Sequence, residues 1–448
     1  MGRDPMDPEL SKWAVPSFND QLTNSRIRSC VIVRQGDLNN WLRRWIFALG
    51  LAIFHMLMNM IWGLRIKHYG TRDAPGSLAW FFALMEKKRL AGEKPDFYAL
   101  SAALSQILNG ILLTGWIREC GYPSLQEFAE SNPQPDVLKE IASRILLNYC
   151  TPILDPRIET SVDPTPPAPR ARQKKATPSA STPNSTAVPK SKSKGKAKAK
   201  ADSEVDTGPD DPCHRNLRLL ARDLLVVAEV TAAIPVGDFG RIEDLLPVLA
   251  AMFASIGSQK YAIEIVTLIH NLKYVWTPEF ADIMRDNHLV NISGLPNHFM
   301  AIDMNIEHHI GYVKALYTAK GVHADWEHLG NIAAGIVSIQ NCKKKVGLMM
   351  DVSYKKKTAS EVDTKSISWD VVRWLMQEDL LSFDVGRKKC SPAPDLRETQ
   401  KLFAMVPRFN KRAKELWGDD VATETDDILD EVDEIAPMEW GAAEDSEE

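Results

Sequence analysis

Apolar residues fall at three-and-four spacing through most of the chain, which predicts helices over LAWFFALMEKKRL, YALSAALSQILNGILLTGWI and VLKEIASRILLNYC between Leu78 and Cys150. Breaks at Asp73-Ala74-Pro75-Gly76, Lys94-Pro95-Asp96, Gly121-Tyr122-Pro123 and Asn132-Pro133-Gln134-Pro135 separate them. Helical spacing resumes at His214 with LRLLARDLLVVAEVTAAI, GRIEDLLPVLAAMFASIG and KYAIEIVTLIHNLKYVW, and Thr277-Pro278-Glu279 marks the start of TPEFADIMRDNHLV. Later blocks are IAAGIVSIQNCKKKV, SWDVVRWLMQEDL and TQKLFAMVPRFNKRAKELWG. One run stands apart: Trp45 to Leu64, WIFALGLAIFHMLMNMIWGL, is as long as the roughly 20 apolar residues of a membrane span. His55 and Asn59 would then sit near the bilayer centre, where polar groups are costly, so a buried strand or helix of a soluble core competes with the membrane reading.

Between residues 161 and 212 the pattern is lost. Proline, serine and the alternating Lys190, Lys192, Lys194, Lys196, Lys198 and Lys200 cannot bury enough surface to offset chain entropy, which predicts a disordered basic linker. Such a run is either a plain solvated spacer or a tract that attracts nucleic acid or directs nuclear import. From residue 417 the chain turns acidic, predicting a second disordered segment. The net charge of −5 averages these opposing regions and says little about partners. At 448 residues the length prior is about two or three domains, and 44% apolar residues provide ample core material. Six cysteines spread singly, with no paired motif, point to reduced thiols in an intracellular compartment. The opening residues lack the apolar core of a signal peptide.

The densest chemistry lies between Asp303 and Gly330. On a helix Asp303 and Glu307 share a face, with His308 beside them and Lys314 further along, an arrangement suited to a metal or a phosphate or to an ordinary charged surface. No signature of a small-molecule substrate accompanies it. His270, on an apolar helix, reads as a hydrogen-bonded core histidine.

Several phrases together resemble a known family. Phe18-Asn19-Asp20-Gln21-Leu22-Thr23 is similar to its GDQLT phrase and Phe54-His55 with Met58-Asn59 to its F-H-x-x-M-N. His68-Tyr69-Gly70-Thr71, Pro75-Gly76-Ser77-Leu78, Met304-Asn305-Ile306-Glu307-His308, Val313-Lys314 and Gly321-Val322-His323 follow in the family's order. The family is the domain of unknown function 6589, found in mushroom-forming fungi and associated with mobile elements, whose members resemble the catalytic half of transposon-derived RNase H-like transposases. That resemblance implies a predominantly α protein with a degenerate or partial RNase H-like α/β core and a large helical insertion. Residues 1–70 would begin the core, 71–160 form a helical subdomain, and 213–416 a C-terminal helical domain carrying the N-x-E-H helix. It makes Trp45 to Leu64 a core strand running into a helix, and argues against a membrane location.

Three carboxylates in such enzymes hold Mg²⁺ ions that activate water or a DNA 3′-hydroxyl against a phosphodiester. Carried over by position, Asp20 would be the first metal ligand and Glu307 the last, with Asp303 or Asp37 as a third acid and His55 as a catalytic substitute. DNA is the implied partner, through Lys314 and the linker lysines. Two departures stand out: Ile53 occupies the position of a further acid, and Asn19 replaces the glycine before Asp20. Asp20 also lies too close to Met1 for a preceding DNA-end-binding domain, as in a truncated copy. The resemblance therefore implies either a metal-dependent nuclease or transposase, or a catalytically inactive helical interaction protein.

Overall fold

The computed structural model describes residues 4–92, 95–152, 211–319, 321, 325–350, 365–385, 387 and 390–417. The linker lysines Lys190 to Lys200, His323, and the acidic segment from residue 418 lie outside the described residues. Strand β1 (Val15–Asn19) is followed by α1 (Gln21–Val33), β2 (Phe47–Leu51) and α2 (Ile53–His68). β1 and β2 pair in parallel, Val15 opposite Phe47 and Asn19 opposite Leu51, and the ladder continues with the Ala52 amide donating to the Asn19 carbonyl at 2.9 Å. Because the pair is parallel, both strands end on the same side, and both following helices begin there.

Helices dominate the rest. α3 (Leu78–Leu84), α4 (Phe97–Glu119), α5 (Leu125–Glu130) and α6 (Pro135–Tyr149) precede the linker; α7 (Pro212–Val236), α8 (Phe239–Ile256), α9 (Gln259–His270) and α10 (Pro278–Asp286) follow it. A short antiparallel pair, β3 (Leu289–Val290) and β4 (Met300–Ala301), leads into α11 (Ile302–Ala319), then α12 (Trp326–Met349), α13 (Lys365–Gln377), α14 (Thr399–Phe403) and α15 (Val406–Trp417). Many of their starts are written locally. Ser77, Asp96, Ser124 and Thr277 each accept a hydrogen bond from the amide three residues on, satisfying a donor with no partner inside the helix. Gly237 closes α7 at φ 82°, a backbone shape that would strain an L side chain.

The apolar run Trp45 to Leu64 divides at Ala52 into β2 and α2. α2 is wrapped on nearly every side: Ile53, Phe54, Met56, Leu57, Met58, Met60, Ile61 and Leu64 are all buried. That explains why the run lacks amphipathic spacing. Among the described residues, α4 alone is long and apolar enough to cross a membrane, and 56% of its most apolar window is buried within the protein, as expected of a core helix. One apolar cluster takes side chains from α2, α3, α4, α7, α8, α9 and α13, on both sides of the linker; a smaller one joins Cys120, Phe128, Ile141 and Ile145.

α4 and α13 approach closely at Gly110. A Cβ there would overlap the Val371 side chain and come within 3.2 Å of the Ser368 carbonyl. Alanine favours a helix over glycine by about 1 kcal/mol, but overpacking a rigid contact costs about 1–3 kcal/mol, so the overlap should win. Gly110→Ala is therefore expected to lower the urea midpoint, and an unchanged or raised midpoint would contradict this packing.

Buried charge ties the helices together as well. His68 Nε2 on α2 lies 3.0 Å from Asp223 Oδ2 on α7, and both side chains are almost fully enclosed. Arg222 binds Asp223 through Nε at 3.0 Å and Asp395 through Nη2 at 2.7 Å, while Arg397 donates to the Arg222 carbonyl at 3.2 Å. All six cysteines are free.

Candidate functional site

At the common end of the parallel strands, Asp20 follows β1 directly and caps α1, its Oδ1 accepting from the Thr23 amide at 2.8 Å. α2 has no such residue of its own, since its N-cap is Ala52. Asp303, in the first turn of α11, supplies the cap from elsewhere: the Phe54 amide donates to Oδ1 at 3.2 Å and the His55 amide to Oδ2 at 3.0 Å. The same Oδ2 receives His55 Nδ1 at 2.9 Å. With a carboxylate as acceptor, Nδ1 carries the proton.

Glu307, one turn further along α11, places Oε1 3.8 Å from His55 Nε2. The imidazole thus sits between two carboxylates on one helical face, with Asp20 near enough for its charge to be felt. Burial opposes protonation of this ring, but the hydrogen bond and charge of Asp303, with Glu307 and Asp20, outweigh it and leave the His55 pKa above the ordinary imidazole value.

A second layer fixes these groups. Asn59 donates to the His55 carbonyl at 2.8 Å and to the Tyr261 hydroxyl at 3.0 Å. Tyr261 is buried on α9, its ring stacked on Phe253; burial first, then the charges of Asp20, Asp303 and Glu264, push its pKa upward, so the phenol keeps its proton. Glu264, one turn on, is enclosed and forms a two-pronged ion pair with Arg28 of α1. Asn24 donates to the Gly50 carbonyl at 3.1 Å and to Glu264 at 3.4 Å, and receives Asn19 at 3.2 Å. The polar phrase around Asp20 is thereby bolted to β2 and α9.

The structure brings together Asp20, His55, Asp303 and Glu307. Asp37 is not part of the group: it lies past the opposite end of α1, paired with Arg34 at 2.7 Å. Lys314 and His308 are exposed on α11. His270 is half-buried between the rings of Tyr274 and Phe409. Sequence reading missed Tyr261, Glu264, Asn24 and Arg28. The available signal was a carboxylate inside the apolar helix KYAIEIVTLIH, together with an asparagine and an arginine one turn apart on α1.

Geometry limits what the acids can hold as they stand. Both Asp303 oxygens are engaged by backbone amides and His55, one Asp20 oxygen caps α1, and the imidazole occupies the space between Asp303 and Glu307. Among the described residues no group of three or more His, Cys, Asp or Glu side chains is disposed to hold a metal ion. This arrangement does not fit a divalent ion shared by Asp20, Asp303 and Glu307.

No curated protein and no solved structure matches the chain. A model described as a family of unknown function (DUF6589) matches residues 2–358, and the chain belongs to that family.

Proposed function

We propose that this protein is a nucleic-acid-binding remnant of an RNase H-like, metal-dependent DNA transposase, in which the acidic site is still assembled but is filled by a histidine. The observation that carries the reading is that His55 lies 3.8 Å from Glu307, on a late helix, and also feels the charge of Asp20, at the end of the first strand. The carboxyl ends of parallel strands are where α/β folds commonly collect their functional groups, and acids gathered there from opposite ends of the chain suit phosphoryl chemistry. His55 now satisfies the acids by ion pairing, and Ile53 offers no ligand. Exposed lysines, Lys314 on α11 and Lys343 to Lys345 on α12, would supply phosphate contacts.

The test is a binding and nicking assay on the purified chain with supercoiled and linear DNA, in Mg²⁺ or Mn²⁺, beside Glu307→Ala. Expected are DNA binding that weakens by about tenfold or more between 50 and 200 mM salt, and no nicking above the level of Glu307→Ala. Nicking that Glu307→Ala reduces tenfold or more would show a working enzyme instead of a remnant.

A second reading, a helical interaction protein with no link to nucleic acid, is favoured by Asp303, whose carboxylate is wholly engaged in capping α2 and holding His55. Failure to bind DNA even at low salt would favour it over the first.

A further inference from the structure

The start of α7 carries a feature outside the acidic site. Cys213, in its first turn, is fully buried, and Asn216 lies one turn further on. Asn216 holds the chain segment after residue 390 against this turn: its Nδ2 donates to the Ser391 carbonyl at 2.8 Å and its Oδ1 receives the Ala393 amide at 2.7 Å. Nδ2 also lies 3.8 Å from the Cys390 sulfur. Residues three apart on a helix face the same way, so Cys390 is laid over the face that carries Cys213. Cys213 is near enough for the Cys390 thiol to feel it directly. They meet across more than a third of the chain, and Cys390 is partly exposed while Cys213 is sealed.

We propose that Cys213 and Cys390 are a thiol–disulfide exchange site, converted to a reversible intramolecular disulfide by small-molecule disulfides of the glutathione type. The accessible Cys390 thiolate attacks one sulfur of glutathione disulfide, forming a mixed disulfide and releasing one glutathione thiolate, which takes up a proton. The Cys213 thiolate then attacks the Cys390 sulfur, forming the protein disulfide and releasing the second glutathione thiolate, which is likewise protonated. Two protein thiols are oxidised and one glutathione disulfide is reduced to two glutathiones.

Burial first, and then the neighbouring Cys213, push the Cys390 thiol up to about 12. Exchange is therefore slow at neutral pH and accelerates with alkali, because the thiolate is the nucleophile. The bond would fix the segment that delivers Asp395 and Arg397 to Arg222, next to the buried Asp223 and His68 pair. His68 ends α2, the helix whose first turn carries His55. Oxidation would thus brace the helix carrying the candidate site.

The full chain is equilibrated with reduced and oxidised glutathione, its free thiols are alkylated, and peptides are mapped by mass. Expected are the loss of two of the six thiols, a peptide joining Cys213 to Cys390, its reversal by dithiothreitol, and a rise in thermal midpoint of about 5 °C. The rate should climb about tenfold per pH unit between pH 7 and 9. Cys213→Ser should hold one glutathione on Cys390, and Cys390→Ser should leave Cys213 unmodified. Six thiols retained under oxidation, or cross-links that leave out this pair, would overturn the proposal. The wild-type peptide map decides even where a serine variant folds poorly.

Discussion

Replacing Asp303 with alanine should lower the unfolding free energy by about 3 kcal/mol. The Phe54 and His55 amides open α2, whose own N-cap is an alanine, so no local group can take over their hydrogen bonds. Losing a helix cap costs about 1 kcal/mol, and removing one partner of a buried, charge-assisted bond about 2 kcal/mol more. The Asp303 side chain is only 6% exposed, so water cannot readily replace it. Asparagine keeps one acceptor oxygen, and Asp303→Asn should cost about half as much. Glu307→Gln, at 3.8 Å from the ring and 24% exposed, should cost less than about 1 kcal/mol. Urea unfolding of the three variants gives the ranking, and amide exchange gives the location: protection at Phe54 and His55 should fall first in Asp303→Ala. An alanine variant as stable as Glu307→Gln would mean that α2 does not depend on this cap.

Acid should destabilise the fold through His288 well before most carboxylates are protonated. Its ring is fully buried between Phe18, edge-on at 4.6 Å, and Phe239, stacked at 4.2 Å. Nδ1 donates to the Met284 carbonyl at 2.7 Å, and Nε2 has no partner among the described residues. Burial holds the folded pKa down at about 4, against an unfolded value of about 6.5. Above pH 6.5 both states are neutral and the residue costs nothing. As pH falls below 6.5 the unfolded chain binds the proton first, and stability drops by about 1.4 kcal/mol per pH unit until the folded state also binds near pH 4, a total of about 3 kcal/mol.

His214, likewise lowered by burial, acts in the same direction. His55 acts in the opposite one: its raised pKa contributes stability that is complete below pH 6.5 and disappears as pH rises through its folded value. His288→Phe fits between the same two rings and removes the unpaired nitrogen. Its stability should be flatter between pH 6.5 and 4.5 than that of the wild type. Parallel pH profiles for the two proteins would show that His288 is not the source.

Much of the helical layout is legible because its signals are local. Ser77, Asp96, Ser124 and Thr277 cap helices whose amides lie three residues away, and Gly237 ends α7 within its own turn. Such interactions need no distant partner, so a single sequence is enough to read them. The run Trp45 to Leu64 is different. A half-buried apolar strand and a helix buried on nearly every side run together here as unbroken apolar residues, so periodicity alone does not reveal the break at Ala52.

For the candidate site, sequence supplied the chemistry and tertiary structure the roles. Asp20, His55, Asp303 and Glu307 stand out in the chain as polar groups within recognisable phrases. Yet Asp303 caps the first turn of a helix by binding the amide of Phe54, 249 positions earlier, and Glu264 is the buried partner of an arginine 236 positions away. Local sequence determined which segments coil, where they stop and which side chains are able to carry charge. Only the packed fold decided that one imidazole would sit between two acids and feel the charge of a third, because which charges become neighbours depends on long-range packing of α2 against α7, α8 and α11, and no spacing along the chain encodes that distance.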